Sequence, residues 1–222
     1  ADLLGQHAFG NYRQLIEAVS TSPMMGIYLS HLGNKKADAF TGAMPDENYA
    51  REVMQLFTIG LTQLNIDGTP ALVNGQPVET YSNADITGLA RVFTGWGWAA
   101  TGTSNAEFRG SLVTDPERTV KPMKMYANFH ETGAKAFLGI TIPAGTSGEQ
   151  SLTLALDRLF NHPNLCPFIS RQLIQRFITS NPTAVEPPSK PPGAMTSTSP
   201  VRPTTAATPV AGAMRSRASA RQ

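Results

Sequence analysis

The sequence predicts a mainly α fold: an irregular helical domain with one small β-hairpin insertion, long loops and a disordered C-terminal tail. Three observations predict it. Apolar residues recur at helical spacing in several segments of the 222-residue chain. Two turn pairs, Asp67-Gly68 and Asn74-Gly75, lie among short β-prone runs. From Thr183 onward the chain contains no aromatic residue and no Leu or Ile.

The first two helices are predicted from spacing and from end signals. In residues 3–20 the apolar residues recur at helical spacing, which predicts a single amphipathic helix with these residues on its apolar side: Phe9, Tyr12, Leu15, Ile16 and Val19. Ser22 followed by Pro23 is typical of the start of a second helix, because serine caps and proline suits the first helical position. A polar loop over 33–45 follows.

The segment "PDENYAREVMQLFTIG", residues 45–60, predicts a helix over 46–59. Its acidic start suits the positive end of the helix dipole, and Gly60 suits a left-handed stop. The apolar stripe is expected to be buried and to consist of Tyr49, Val53, Leu56 and Phe57.

The rest of the domain alternates between insertion, helix and loop. Residues 63–81 are predicted to form the hairpin excursion, and residues 82–96 a helix that begins with a capping-box variant at Ser82 and Asp85. One side of this helix is expected to carry Ile86, Leu89, Ala90 and Phe93, and Arg91 could pair with a carboxylate of the 47–52 row. Residues 97–147 are rich in Gly, Thr and Pro, which indicates long loops. Two closing helices are expected near 149–161 and 164–180, and the second places Ile169, Leu173 and Phe177 on one apolar stripe.

The C-terminal segment differs sharply in composition. It holds seven prolines, and too little apolar surface to offset the entropy of ordering, so we predict domain boundaries at 1–182 for a partial helical domain and 183–222 for a disordered Pro/Ala/Ser/Thr-rich tail. A frameshift in a GC-rich gene is the favoured explanation of this tail, and a genuine low-complexity linker is the alternative.

Composition excludes several function classes. The net charge is +2, and the tail from Thr183 carries +4, so residues 1–182 carry −2 and do not suit a nucleic-acid surface. No uninterrupted apolar stretch reaches the length of a membrane span. The lone Cys166, expected to be a core thiol, cannot form an internal disulfide. Serine-hydrolase, zinc-protease and nucleotide-binding motifs are missing from the sequence.

The helix over 46–59 carries the first candidate site. Glu47 and Arg51 are four residues apart and can pair along its surface, while Glu52 belongs to a second polar row. Two polar rows beside one apolar stripe are also what an ordinary amphipathic helix shows, so a structural role is the alternative.

"HETGAKAFLG", residues 130–139, carries the second candidate site. The imidazole of His130 beside the carboxylate of Glu131 could act as an acid/base pair or as metal ligands, and Lys135 lies in the same loop-rich region. Adjacent residues do not share a face of a helix or strand, so solvated or capping roles are the alternative. His31, at the end of the second predicted helix, is expected to cap or to interact with the helix dipole.

Five blocks carry a family resemblance when taken in order. They are "HAFGNYRQLIEAVSTSPMMGIYL", "PDENYAREVMQLFTIG", "YSNADITGLARVFTGW", "HETGAKAFLG" and "HPNLCPFISRQLIQRFITSNP". Together, over about residues 5–182, they resemble the bacterial family called domain of unknown function 1800. The resemblance implies a mostly helical and commonly exported protein, so a periplasmic or extracellular location is expected. It also implies a fragment that lacks the N-terminal part and the C-terminal end.

The resemblance names a partner but no reaction. Members are often encoded beside a second exported family, domain of unknown function 1501, which resembles alkaline phosphatases and sulfatases. That family is therefore the expected partner. Gln55 stands where relatives often have glutamate, so a carboxylate proposed at that position is lost.

The resulting hypothesis is an accessory or scaffold protein that acts with a neighbouring enzyme of the cell envelope. Its rival is a hydrolase-like or metal-assisted enzyme that uses a carboxylate/histidine cluster drawn from Glu47, Arg51, Glu52, His130 and Glu131. The rival requires these side chains to converge around a cleft. Cofactor and metal content are not specified by the sequence.

Overall fold

The computed structural model describes residues 2–182, of which about 40% are helical and 11% lie in strands or bridges. Helices dominate, and three antiparallel two-stranded sheets accompany them. The prediction of a mainly α fold is therefore confirmed only in part, because helices are the commonest element but account for less than half of the described residues. The predicted tail, with its frameshift explanation, lies outside the described residues.

The predicted helix over 3–20 is two helices, α1 (Asp2–Gln6) and α2 (Tyr12–Ser20). The interruption has a local cause: the side chain of Asn11 accepts a hydrogen bond from the backbone N–H of Arg13, which makes Asn11 the cap of a new helix. Phe9, between the two helices, is fully exposed rather than part of the core.

Helix α3 (Pro23–Tyr28) begins with proline in its first turn as predicted, although the side chain of Ser22 makes no capping hydrogen bond. Helix α4 (Asn48–Gln55) follows the loop and is shorter than predicted. Gly60 has the left-handed φ of +69° expected of a chain stop, and the Phe168 ring lies where a Cβ would be.

The inner face of α4 differs from the predicted stripe at its C-terminal end. Tyr49 and Val53 are buried as predicted, and Met54 is buried beside them. Leu56 is 52% exposed, so the prediction that Leu56 is buried is wrong. Phe57 is only partly buried, at the edge of the core. The helical pattern cannot be extended past Gln55, where α4 ends.

The hairpin insertion is confirmed as β1 (Leu72–Val73) paired with β2 (Gln76–Pro77). Both turn residues have positive φ, 52° at Asn74 and 76° at Gly75. Two successive positive φ values are what the favoured two-residue hairpin turn requires, and Asn-Gly adopts them readily.

Helix α5 (Asn83–Ala90) has the predicted capping box, in which the Ser82 and Asp85 side chains each bond to the other's backbone N–H. A 3₁₀ turn over Arg91–Phe93 continues it. The buried side of this segment, which was predicted correctly, contains Ile86, Leu89, Ala90 and Phe93.

The region over 97–147 is more ordered than predicted. Strand β3 (Trp96–Gly97) pairs with β4 (Lys124–Met125), and α6 (Asn105–Phe108) lies between them in the chain. A 3₁₀ turn at Ala127–Phe129 precedes a hairpin of β5 (Lys135–Phe137) and β6 (Ile140–Ile142). These strands have two or three residues, too few for a period-2 pattern to identify them.

Helices α7 (Gly148–Phe160) and α8 (Leu165–Phe177) close the described part. Helix α7 packs into the core through Leu152, Leu156 and Leu159. Helix α8 does not bury its predicted stripe, because Leu173 is 52% and Phe177 81% exposed.

No helix within residues 2–182 is long and apolar enough to cross a membrane.

Candidate functional site

Glu47 and Arg51 lie at the start of α4, on the side that faces α5. The Glu47 carboxylate accepts a hydrogen bond from the Thr87 hydroxyl at 2.7 Å, and it forms an ion pair with Arg51 at 3.6 Å. Both charged side chains keep substantial exposure, 38% for Glu47 and 44% for Arg51. The predicted pairing of Arg51 with a nearby carboxylate is confirmed, in a screened setting where such pairs contribute little stability.

Glu52 lies one turn further along α4, close to Tyr81. One carboxylate oxygen of Glu52 and the hydroxyl of Tyr81 are both buried, and neither has a hydrogen-bond partner within the described residues. Burial raises the pKa of Tyr81, the charge of Arg51 lowers it and that of Glu52 raises it. These three groups therefore share one electrostatic environment.

A cavity of about 440 Å³ opens beside this group, between α4 at Arg51, the base of the hairpin insertion and the start of α5. Its walls mix polar and apolar side chains: Arg51, Leu61, Glu79, Tyr81, Asn83 and Ile86. Of the five site residues proposed from sequence, Arg51 is the one that lines this cavity.

His130 belongs to a different and sealed environment. It is only 2% exposed, and its Nδ1 lies 2.9 Å from the backbone oxygen of Thr94. The Thr94 hydroxyl donates to the backbone oxygen of Arg91 and accepts a hydrogen bond from the backbone N–H of Glu131 at 2.8 Å. His130 and Glu131 are thus fixed to the turn that follows α5, which carries Thr94.

Lys135 is fully buried beside them, which is rare for a lysine. Its ammonium donates to the backbone oxygen of Gly133 at 3.3 Å, while the Glu131 carboxylate accepts from the Gly133 N–H at 2.8 Å. Burial lowers the pKa of Lys135; the charge of Glu131 opposes this shift and that of Arg91 adds to it.

Burial also lowers the pKa of His130, and the nearby Lys135 charge acts in the same direction. The hydrogen bond to Thr94 and the carboxylates of Glu131 and Glu149 oppose the shift. The Nε2 atom of His130 is buried without a hydrogen-bond partner in the described part, as is Nε of Arg91. The expected pairing of Arg91 with a carboxylate of α4 is not found in this part of the chain.

The two candidate groups remain separate. No hydrogen bond or ion pair within residues 2–182 joins Glu47, Arg51 or Glu52 to His130 or Glu131. Across the same residues, no three side chains of His, Cys, Asp or Glu are placed together so that they could hold a metal ion. The arrangement is one half-exposed polar row beside a cavity and one buried polar cluster.

Two other sequence assignments change. His31 is buried against the ring of Tyr49, with centroids 3.9 Å apart, and its Nε2 lies 2.9 Å from the backbone oxygen of Ser20, the last residue of α2. It therefore caps a helix end as expected, but the end of α2 rather than of its own helix. Cys166 is exposed, so its assignment as a core thiol is wrong.

Sequence reasoning missed two residues that organise these sites. Thr94 supplies a hydroxyl and a carbonyl to the His130 loop, and Tyr81 closes the cavity wall beside Glu52. Both lie in the block "YSNADITGLARVFTGW", for which the sequence predicted helix capping, packing and an ion pair of Arg91. Their roles depend on partners about 30 to 40 positions away in the chain, which no local pattern shows.

Comparison with known proteins supplies a family. No curated protein and no solved structure matches the chain. A family model described as protein of unknown function (DUF1800) matches residues 1–190, which is most of the sequence. The chain belongs to the DUF1800 family of proteins of unknown function.

Proposed function

We propose that this protein is an accessory or scaffold component of the bacterial cell envelope, which acts by contact with a neighbouring enzyme and performs no catalysis itself. The observation that carries the proposal is the sealed state of the His130 cluster. A general acid or base must reach the proton that it transfers, directly or through one water. His130 and Lys135 are nearly or fully inaccessible; His130 is bonded to the backbone of Thr94, and Lys135 to the backbone of Gly133 in its own loop.

The polar residues Glu47, Arg51 and Glu52 of the α4 segment, called the α4 row below, also support the proposal. Glu47 is engaged by Thr87 and Arg51, an arrangement that fixes α4 against α5. Carboxylates used in this way position helices, and they need no substrate to account for them. The contacts of both polar groups are internal to the fold, which supports a scaffold role.

The partner and the location rest on the family resemblance. The expected partner is an exported protein of the domain of unknown function 1501 family, and the expected location is periplasmic or extracellular. Both statements are part of the proposal.

The proposal is tested with the purified chain and a candidate partner from the domain of unknown function 1501 family. We expect a complex by size-exclusion chromatography with light scattering, and an altered rate of sulfate- or phosphate-ester hydrolysis by the partner. Glu52→Gln and His130→Asn should leave complex formation intact wherever circular dichroism shows a folded chain. No complex at micromolar concentrations of both proteins would contradict the proposal.

A catalytic role is the second candidate, and one observation favours it. Nε2 of His130 and Nε of Arg91 are buried without hydrogen-bond partners in the described residues, whereas most buried polar atoms of proteins have one. An enzyme would hydrolyse a chromogenic ester by itself, and folded His130→Asn and Glu131→Gln variants would both lose that activity. Retention in both variants would exclude this cluster as the catalytic site.

A further inference from the structure

The hydrogen bonds of His130, the first residue of the His130 loop (residues 130–135), determine where its ring can take up a second proton. Nδ1 lies 2.9 Å from the backbone oxygen of Thr94, and because a carbonyl oxygen only accepts, Nδ1 carries the hydrogen of the neutral ring. A further proton must therefore go to Nε2. That atom is buried and has no hydrogen-bond partner within the described residues, so the added N–H would have no acceptor there.

The charges around this ring do not compensate an imidazolium. Burial lowers the pKa of His130, and the charge of the fully buried Lys135 in β5 lowers it further. Burial and the charge of Arg91, in the 3₁₀ turn after α5, lower the pKa of Lys135. The opposing carboxylates are Glu131, in the loop itself, and Glu149, in the first turn of α7. Neither carboxylate forms an ion pair with the ring or the ammonium in the described part of the chain, so protonation would create a second buried cation without a carboxylate in contact.

The His130 loop is joined to other segments mainly by polar contacts. The ring of His130 and the N–H of Glu131 both bond to Thr94. The backbone oxygen of Thr132 accepts a hydrogen bond from the N–H of Gly145 at 2.8 Å. Two of these three contacts end on Thr94, and one of those two is made by the titrating ring itself.

The apolar core lies outside this loop. The only apolar side chain of residues 130–135 is Ala134, which is exposed. The residues that pack come directly afterwards: Ala136 lies against Gly88 of α5, and Phe137 belongs to the core. Segments with few buried apolar contacts open at a lower cost in free energy than the whole fold. The loop can therefore detach while the rest of β5 stays packed.

We propose that the His130 loop is an acid-sensitive switch, in which proton uptake at Nε2 of His130 detaches the loop from Thr94 while the core stays folded. Detachment brings the imidazolium and the ammonium of Lys135 into contact with water, which the closed loop denies to both. This inference concerns regulation of the fold and does not rest on the scaffold role proposed above.

The test measures hydrogen exchange of the Glu131 amide, whose N–H donates to Thr94, in the full chain between pH 7.5 and pH 5. Rates are divided by the intrinsic exchange rate at each pH. The detached ring takes up a proton with an ordinary pKa of about 6.5, whereas the closed loop resists protonation, so the detached fraction should rise by up to about 30-fold over this range. The buried Leu156 amide reports global unfolding, and Glu131 should exchange faster than Leu156 throughout.

Histidine variants identify the trigger. His130→Asn, whose side-chain amide can still donate to Thr94, should remove the pH dependence of exchange at Glu131. His31→Asn is the matched control, because it replaces a buried histidine outside the loop and should leave the pH dependence at Glu131 unchanged. Circular dichroism checks that each variant is folded.

Lysine variants test the neighbouring charge. Lys135→Met should weaken the pH dependence of exchange at Glu131, because the imidazolium no longer faces a buried ammonium, whereas the exposed Lys36→Met should not change it. Equal exchange of Glu131 and Leu156 at every pH would overturn the proposal, since the loop would then open only with the whole fold. An undiminished pH dependence in folded His130→Asn, or in Lys135→Met if His130→Asn does not fold, would also overturn it.

Discussion

The α4 row and the His130 loop contain the same kinds of side chain but treat them in opposite ways. Glu47 and Arg51 stay more than one-third exposed, and their neighbour Glu52 lies near a cavity. His130 and Lys135 are buried and bonded to backbone atoms. Polar residues on a helix surface can remain hydrated, whereas those in a loop that crosses the core must find partners in the backbone.

This difference has energetic consequences. The α4 row should tolerate the loss of individual charges, because solvent screens them. The His130 loop should not tolerate disturbance, because each buried donor or acceptor that loses its partner incurs its full desolvation cost. Four substitutions or conditions can break or sharpen the comparison.

The largest effect is expected where α5 meets β5, the strand that carries Lys135. A Cβ at Gly88 would lie 1.8 Å from the backbone oxygen of Ala136, a clash that no side-chain rotation relieves. Gly88→Ala should therefore destabilise by about 3 kcal/mol or more, measured by urea unfolding. Gly5→Ala is the control, since its Cβ would meet nothing within 4 Å and should leave stability nearly unchanged. Equal stabilities for the two variants would contradict the tight contact.

Acidification should destabilise the fold through two buried histidines: His31, which packs against Tyr49 of α4, and His130. Burial lowers the pKa of His31 to about 4 in the folded state, against about 6.5 when unfolded. Because the unfolded chain binds the proton more readily, stability is full above about pH 6.5 and falls as the pH drops toward 4. The loss for His31 amounts to about 3 kcal/mol. His130, whose pKa is lowered in the same direction, adds to it.

Urea midpoints measured between pH 7 and pH 4 check this pH dependence. His31→Asn should flatten it, while His7→Asn, outside the core, should leave the slope unchanged. A slope in His31→Asn equal to that of the unsubstituted chain would show that the His31 ring is not the group responsible.

Thr94→Val should have an intermediate effect of about 1–3 kcal/mol. It removes the hydroxyl that accepts from the Glu131 N–H and donates to the Arg91 carbonyl, and leaves both groups without that partner. The exposed Thr103→Val substitution is the matched control and should cost little. Hydrogen exchange of the Glu131 amide provides a local readout, and unchanged protection would rule out the proposed anchoring.

Glu47→Gln should have the smallest effect, below about 1 kcal/mol. It removes a partly exposed ion pair with Arg51, while the amide oxygen can still accept the Thr87 hydrogen bond. Thermal unfolding measures the loss of stability, and a comparison of low and high salt shows how much of that loss comes from the ion pair. A loss of several kcal/mol would mean that the α4 row is as tightly integrated as the His130 loop, and the comparison would fail.

Short-range patterns in the sequence determined the features that need no distant partner. The capping box at Ser82, the Asn74-Gly75 turn, the stop at Gly60 and the Glu47–Arg51 pair each involve residues within four positions of one another. Their geometry follows from backbone dihedral preferences and helical spacing, which operate wherever the segment lies. Family membership also followed from ordered sequence blocks, and the family match bears it out.

Tertiary structure alone decided which polar residues are sealed and which face a cavity. Lys135 lies in a segment that the sequence predicted to be a long loop, yet it is completely buried in β5, which packs against α5. Leu173 and Phe177 read as core, yet they remain exposed within the described part of the chain. The physical reason is that burial is a property of pairs of elements distant in sequence. A local pattern records which face of an element is apolar, but not whether another element covers that face.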